Sequence, residues 1–310
     1  MAFVQGSRSG LSYIVETTYG ATPATPTFIQ IPYTSQSLNL AKERVQGTDI
    51  LPDRMRRVDR HGNRSAAGDI VVDLRKGDYD AFLESAFMSS FATNVLKVGT
   101  TLKSFAIEDS ANDTNTTDVY RVFNGMAVSK YAVSIKPNQM VQGTFSFVGS
   151  NMAPALSPAE TVLTPASTNK PFDAYSGTIK LADAGGSLTS VANITGIDFS
   201  IDNALNPTYV IGSAITPQLE FGMATVEGTV TAYLEDMALI NRFINETETA
   251  LEVQVDSPDA AAGHTYLFPR VKFNAADAPV SNPESRLITI PFVALYDTTE
   301  GTNLKLTRNT

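Results

Sequence analysis

The chain has 310 residues, 43% hydrophobic and only 18% charged, so it can bury the cores of two ordinary domains and is too apolar for disorder. It has no cysteine, which excludes disulfides, thiolate metal sites and cysteine nucleophiles and fits synthesis in a reducing cytoplasm. The net charge of −9 is uneven: residues 1–150 carry 15 basic and 14 acidic side chains, the remainder 8 and 18, which fits either drift or two unlike surfaces that meet.

Residues 1–10 lack the basic segment and apolar core of a secretory leader, and no apolar run approaches the roughly 18 residues of a membrane span. Pro23 and Pro26 mark an extended or turn segment before a first strand over residues 28–40, in which Leu38 and Leu40 alternate with Ser37 and Asn39. Residues 41–67 show no period and carry seven basic side chains against four acidic ones. A loop this long in a compact domain is functional or mobile. Ile70, Val72 and Leu74 then share one strand face, opposite Asp69, Val71 and Asp73, and a helix over 78–90 carries Tyr79, Phe82, Leu83 and Phe87 on one side. A strand over 102–107, a polar loop over 109–118, and strands over 119–135 and 141–148 follow, the last two joined by the turn Lys136-Pro137-Asn138-Gln139.

Residues 153–171 read as a linker because Pro154, Pro158, Pro165 and Pro171 alternate with small polar residues. The plan then repeats. Ile197, Phe199 and Ile201 alternate with Asp198, Ser200 and Asp202; a nearly uncharged loop over 203–223 replaces the basic one. Val230, Ala232 and Leu234 lead to a helix over 237–247, and strands over 251–255, 266–273 and 288–292 finish the copy, with a turn at Asn282-Pro283. Matching Leu38 with Ile197 and Gly68 with Gly228 aligns the fronts, and Phe147 with Phe292 aligns the last strands. The expectation is a tandem duplication: a domain over 1–152, the linker 153–171, and a domain over 172–310. Each is mainly β with α+β character and has one helix. The exposed faces of the repeated strands carry Asp69, Asp73, Asp198, Ser200, Asp202, Thr229 and Thr231. An ordinary solvated face explains them, and so does a polar lining.

Catalytic patterns are missing. His61 and His264 lack metal-pair spacing and read as surface imidazoles; there is no phosphate-cradling glycine loop and no nucleophile elbow. The carboxylate pair Asp198 and Asp202 is by spacing alone a weak signal of glycoside chemistry, and no Trp offers a stacking platform. Neither an enzyme nor a cofactor is expected. Arg54, Arg56, Arg57 and Arg60 suit phosphates, but four acids dilute that loop, so docking on an acidic neighbour explains it better.

Ser9-Gly10-Leu11 and Glu16-Thr17-Thr18-Tyr19-Gly20 resemble the N-terminal signature of tail tube proteins of long-tailed, siphovirus-like bacteriophages. The order that follows is similar too: Ile31-Pro32 into a strand, a long charged loop, Gly68-Asp69-Ile70 into a strand, then a helix. The resemblance covers nearly the whole chain in layout. It implies two tube-like β-sandwich or barrel domains, each with a flanking helix, whose inner strands (38–40, 70–74, 197–201, 230–234) line a channel for double-stranded DNA that passes without specific binding. Residues 43–64 would be the loop to the adjacent ring, with Arg44, Asp53, Arg54, Arg56, Arg57 and Arg60 as its contacts. Two domains per chain imply trimeric rings with pseudo-sixfold symmetry, stacked helically in the virion, with other tail proteins at the tube ends and no membrane partner. A two-domain β-sandwich adhesin or virion decoration protein is the alternative.

Overall fold

The computed structural model describes residues 6–111, 119–155, 157–159, 161–258, 263–280 and 285–309. The fold is mainly β. In the first half, β1 (Ser9–Val15), β2 (Thr27–Gln30), β3 (Ser35–Gln36), β4 (Asn39–Gln46) and β5 (Asp59–Asp73) precede helix α1 (Asp80–Ala86). After it come β6 (Val95–Lys97), β7 (Phe105–Ala111), β8 (Val119–Ile135), β9 (Gln142–Gly149) and β10 (Asn151–Ala155). The second half holds β11 (Val162–Thr164), β12 (Asp173–Asp183), β13 (Thr189–Ser190), β14 (Ile194–Asp202), β15 (Asn206–Pro207), β16 (Leu219–Glu220) and β17 (Thr225–Tyr233). Helix α2 (Ala238–Ile244) then leads to β18 (Thr249–Asp256), β19 (Gly263–Phe273), β20 (Leu287–Ala294) and β21 (Lys305–Asn309).

A long antiparallel sheet runs in the order β4–β5–β9–β8–β14–β17–β20–β19, with β3 continuing the edge that β4 begins. The order of its first four strands is repeated by the last four. Register repeats with it: Gly68 of β5 lies opposite Phe147 of β9, and Gly228 of β17 lies opposite Phe292 of β20. Both glycines are required sterically. A Cβ at Gly68 would sit 2.6 Å from the Leu38 Cα, and one at Gly228 would sit 2.5 Å from the Phe292 ring.

Behind this sheet, β7 and β10 flank the first part of β8 with β1 beyond β7, and β18 pairs with β19 with β12 beyond it. The alternating apolar side chains point into the space between. Phe82 of α1 packs on Tyr13, Phe105, Phe145 and Phe147, while Phe268 packs on Phe199 and Phe292. Each such buried ring contributes about 1.5–3 kcal/mol. The two sets merge into one core, bridged by Tyr131, which stacks on Phe145 and shares a 2.8 Å hydrogen bond with Tyr266. Strand β21 joins the halves a second time, pairing with β6 on one side and β19 on the other.

Several elements differ from the sequence reading. Both helices are seven residues long, shorter than the spans 78–90 and 237–247. Each ends on the same pair of bonds, Met88 N–H to Ser85 O with Ser89 N–H to Glu84 O, and Glu246 N–H to Phe243 O with Thr247 N–H to Arg242 O. Met88 (φ 49°) and Glu246 (φ 51°) take the left-handed position that glycine usually fills. The stretch 28–40 is broken by Pro32 into β2, β3 and the start of β4, and the strand expected over 102–107 is displaced to Phe105–Ala111, absorbing the start of the polar loop. The rest of that loop, 112–118, and the Asn282-Pro283 turn lie outside the described residues. The proline-rich stretch is not free chain: β10 pairs with β8, and β11 pairs in parallel with β2. Leu38 lies against Gly68 as Phe199 lies opposite Gly228, so Leu38 corresponds to Phe199 and not to Ile197. A two-residue slip preserves the buried face and is invisible to alternation.

His264 is a further correction. It is 1% exposed rather than on the surface, edge-on to Phe172, with Nδ1 3.4 Å from the Tyr266 hydroxyl. Burial, aided by the nearby Arg308, pushes its imidazole down to about 3, so it is neutral in the fold.

Candidate functional site

The pairing of the long sheet decides which side chains share its outer face, because directly opposed residues point the same way. One row reads Asp69, Ser146, Lys130, Asp202, Thr225. The next reads Val71, Thr144, Ala132, Ser200, Glu227, Val293. A third reads Asp73, Gln142, Ser134, Asp198, Thr229, Pro291, and Gly196, Thr231 and Thr289 extend the pattern by one more row. All seven side chains expected on an exposed polar face, from Asp69 to Thr231, therefore lie on one face. Their neighbours along each strand, such as Ile70, Val72, Ile197, Phe199 and Val230, are buried on the other.

The face is concave over the seam between β8 and β14. There a groove of about 450 Å³ is lined by Lys130, Ser134, Gln142, Thr144, Asp198, Ser200, Glu227 and Thr229, among others. Hydroxyl, amide and carboxylate groups share it about equally with apolar surface such as Ala132, Pro291 and Val293. Five acids (Asp69, Asp73, Asp198, Asp202, Glu227) share this face with Lys130, which stands opposite Asp202. Such a surface holds water well and repels polyanions.

Glu227 and Lys130 escaped sequence reasoning. Glu227 lies one residue before the glycine that opens the repeated strand pattern, and β17 starts earlier, at Thr225. Lys130 shows its face only once β8 is known to bend from one sheet into the other, where its register with β9 shifts between Val128 and Lys130.

The long basic loop is a second feature. It is a two-stranded arm: β4 and β5 pair from Asn39 opposite Ala67 to Gln46 opposite Asp59, extending beyond the rest of the sheet, with residues 47–58 at the tip. Both faces of the arm are exposed, which explains the absent period. Arg44 pairs with Asp59 and Arg57 with Asp53 at 2.6 Å within the arm, and Arg56 donates to the Gln46 side chain. Among the described residues, Arg54, Arg56 and Arg60 have no ion-pair partner. Ile50 is 98% exposed and Met55 70%, so the tip is apolar as well as basic.

The second-half loop does the opposite: it folds back onto the chain. Asn203 donates to Ala86 O at 2.8 Å, and Tyr209 donates to Arg64 O at 3.0 Å at the root of the arm. Leu205 and Leu219 close a small cluster with Ala127, beside Tyr19, Leu102 and Val148.

Among the described residues no His, Cys, Asp or Glu side chains gather as a metal site, and no helix is long and apolar enough to cross a membrane. Residues 6–294 match the family model described as phage tail tube protein. The chain belongs to this family. No curated protein matches it. As a phage tail tube protein it is a structural component of the virion tail, and the mainly β fold agrees with the fold class read from the sequence. The tail tube family is structural rather than enzymatic.

Proposed function

We propose that this tail tube protein polymerises into stacked rings whose inner wall is the polar face of the long sheet, forming the channel through which double-stranded DNA leaves the virion. The recurrence of β4–β5–β9–β8 as β14–β17–β20–β19, joined edge to edge through β8 and β14, carries this reading. It supports two copies of one tube domain in a single chain, with the linker between them lying near residues 153–171. The sheet still ends on two unlike edges, β3–β4 at one side and the segment after β19 at the other. Unlike edges closing head to tail make a ring, and a closed sheet leaves no edge to aggregate. Two domains per chain give three chains per pseudo-sixfold ring.

In this arrangement Asp69, Asp73, Asp198, Ser200, Asp202, Glu227, Thr229 and Thr231 face the lumen. Acids and hydroxyls there hold hydration water and repel phosphates, so DNA slides without specific binding. Lys130, beside Asp202, is screened by its acidic neighbours. The arm, through Arg44, Asp53, Arg54, Arg56, Arg57, Arg60 and its apolar tip, reaches the adjacent ring. Other tail proteins cap the tube ends, and synthesis takes place in the host cytoplasm.

Electron microscopy of the purified chain tests this. Hollow tubes whose rings contain three chains and six domains are expected, with Asp69, Asp198 and Asp202 facing the lumen. Dispersed monomers at high concentration, or rings of six chains with twelve domains, refute it.

A further inference from the structure

The seam between the halves is a resolved example of one tube domain meeting the next, and it shows what the free edges lack. Along it Phe199 lies opposite Val133 and Ile201 opposite Tyr131. Asn203 continues the pairing through its N–H to Ser129 O, and its side chain donates to Ala86 O near the end of α1. Register and the matching helix-closing bonds give each of these residues a counterpart in the other half: Leu38, Leu40 and Lys42 for Phe199, Ile201 and Asn203, and Ile244 for Ala86.

The counterparts on the α2 side are bare. Ala86 is 0% exposed, whereas Ile244 is 63% exposed, and no residue of α2 is buried. Ile135 is 7% exposed at the seam, whereas Val280, at the corresponding place beyond β19, is 71% exposed. Residues 274–280 run beside β20 through Asn274 N–H to Pro291 O and Asp277 N–H to Thr289 O, which turns the alternate groups of Ala276 and Ala278 outward. Ala278 O is met there by the Arg286 side chain. At the opposite edge the outward N–H groups of Leu38 and Leu40 are satisfied only by the Gln36 and Asn39 side chains, at 2.8 and 2.9 Å. Both edges thus carry local caps where the seam carries strand pairing.

We propose that the exposed end of α2 and residues 274–280 form the seat for the β3–β4 edge of the next copy. Ala278 stands opposite Leu38 and Ala276 opposite Leu40, Ile244 is covered, and Lys42 takes at the Ile244 carbonyl the place that Asn203 takes at Ala86. A cation at the C-terminal end of a helix is favourable as well as a hydrogen-bond donor. Pro279 fits this seat, because its missing N–H would face β20 and not the incoming strand. The occupant is a second copy because the seam supplies the matching surface in the same molecule. This inference rests on the ring reading above.

Two variants test it, each in the full chain. Ile244→Asp changes an exposed side chain, so its circular dichroism is expected to match the unchanged protein while rings are lost. The absence of native cysteine allows a second test: Lys42→Cys combined with Ile244→Cys is expected to give disulfide-linked dimers and trimers on oxidation, and neither single variant should. Normal rings from Ile244→Asp, or rings from the double variant without cross-linking, overturn the seat and leave the ring reading standing. No rings from the unchanged chain overturns both.

Discussion

Asn203 is the best single point at which to test the seam. It is 1% exposed; its Nδ2 donates to Ala86 O at 2.8 Å and more weakly to Val128 O at 3.4 Å, and its Oδ1 is buried with no partner. Asn203→Ala strips the donor and leaves a buried carbonyl near the α1 terminus unsatisfied, at a cost of about 1–3 kcal/mol. Removing the orphaned Oδ1 offsets part of that, so a net loss of about 1–2 kcal/mol is expected. Asn203→Asp keeps the shape but turns a carboxylate toward two carbonyl oxygens with no donor, and costs more than about 3 kcal/mol. In thermal unfolding each kcal/mol lowers Tm by about 1.5 °C in a chain this long. The expected order of stability is therefore wild type, then Ala, then Asp. An Asp variant as stable as the Ala variant, or both within about 0.5 kcal/mol of wild type, refutes the clip.

Acid should weaken the fold through His264. Its folded value lies near 3 while the unfolded imidazole titrates near 6.5, so below pH 6.5 the unfolded chain binds a proton that the folded one refuses. Stability is complete above that pH and falls by up to about 1.4 kcal/mol per pH unit toward pH 3, a slope that urea melts of His264→Gln should lack between pH 6 and 4. Replacing Arg54, Arg56 and Arg57 together with glutamate should leave melting unchanged and stop tubes from lengthening, giving single rings by microscopy. Full-length tubes from that triple variant would show that the arm does not work through its charge.

The strands around each helix were legible because one face of each is buried: Ile70, Val72 and Leu74, and later Val230 and Ala232, alternate as a half-buried sheet must. The polar face followed from the same alternation. What failed did so for identifiable reasons. The arm escaped because neither of its faces is buried, and alternation reports burial, not pairing. Both helix ends were overrun because Met88 and Glu246 occupy a left-handed position that sequence rules reserve for glycine. The burial of His264 depends on Phe172 closing over it from a distant part of the chain, a contact that no local pattern records.

Strand β21 sits between β6 of the first half and β19 of the second, and Arg308 within it pairs with Asp80, donates to Thr93 O at 2.8 Å and covers the Phe91 ring. On the ribosome, residues 305–309 are translated some 200 residues after the helix they secure. The first half therefore waits, with its β8 edge and the flank of α1 open, until the second half and then this strand have emerged. Synthesis order thus couples the two halves: the flank of α1 around Asp80 and Phe91 is covered only once residues 305–309 have followed the second half out.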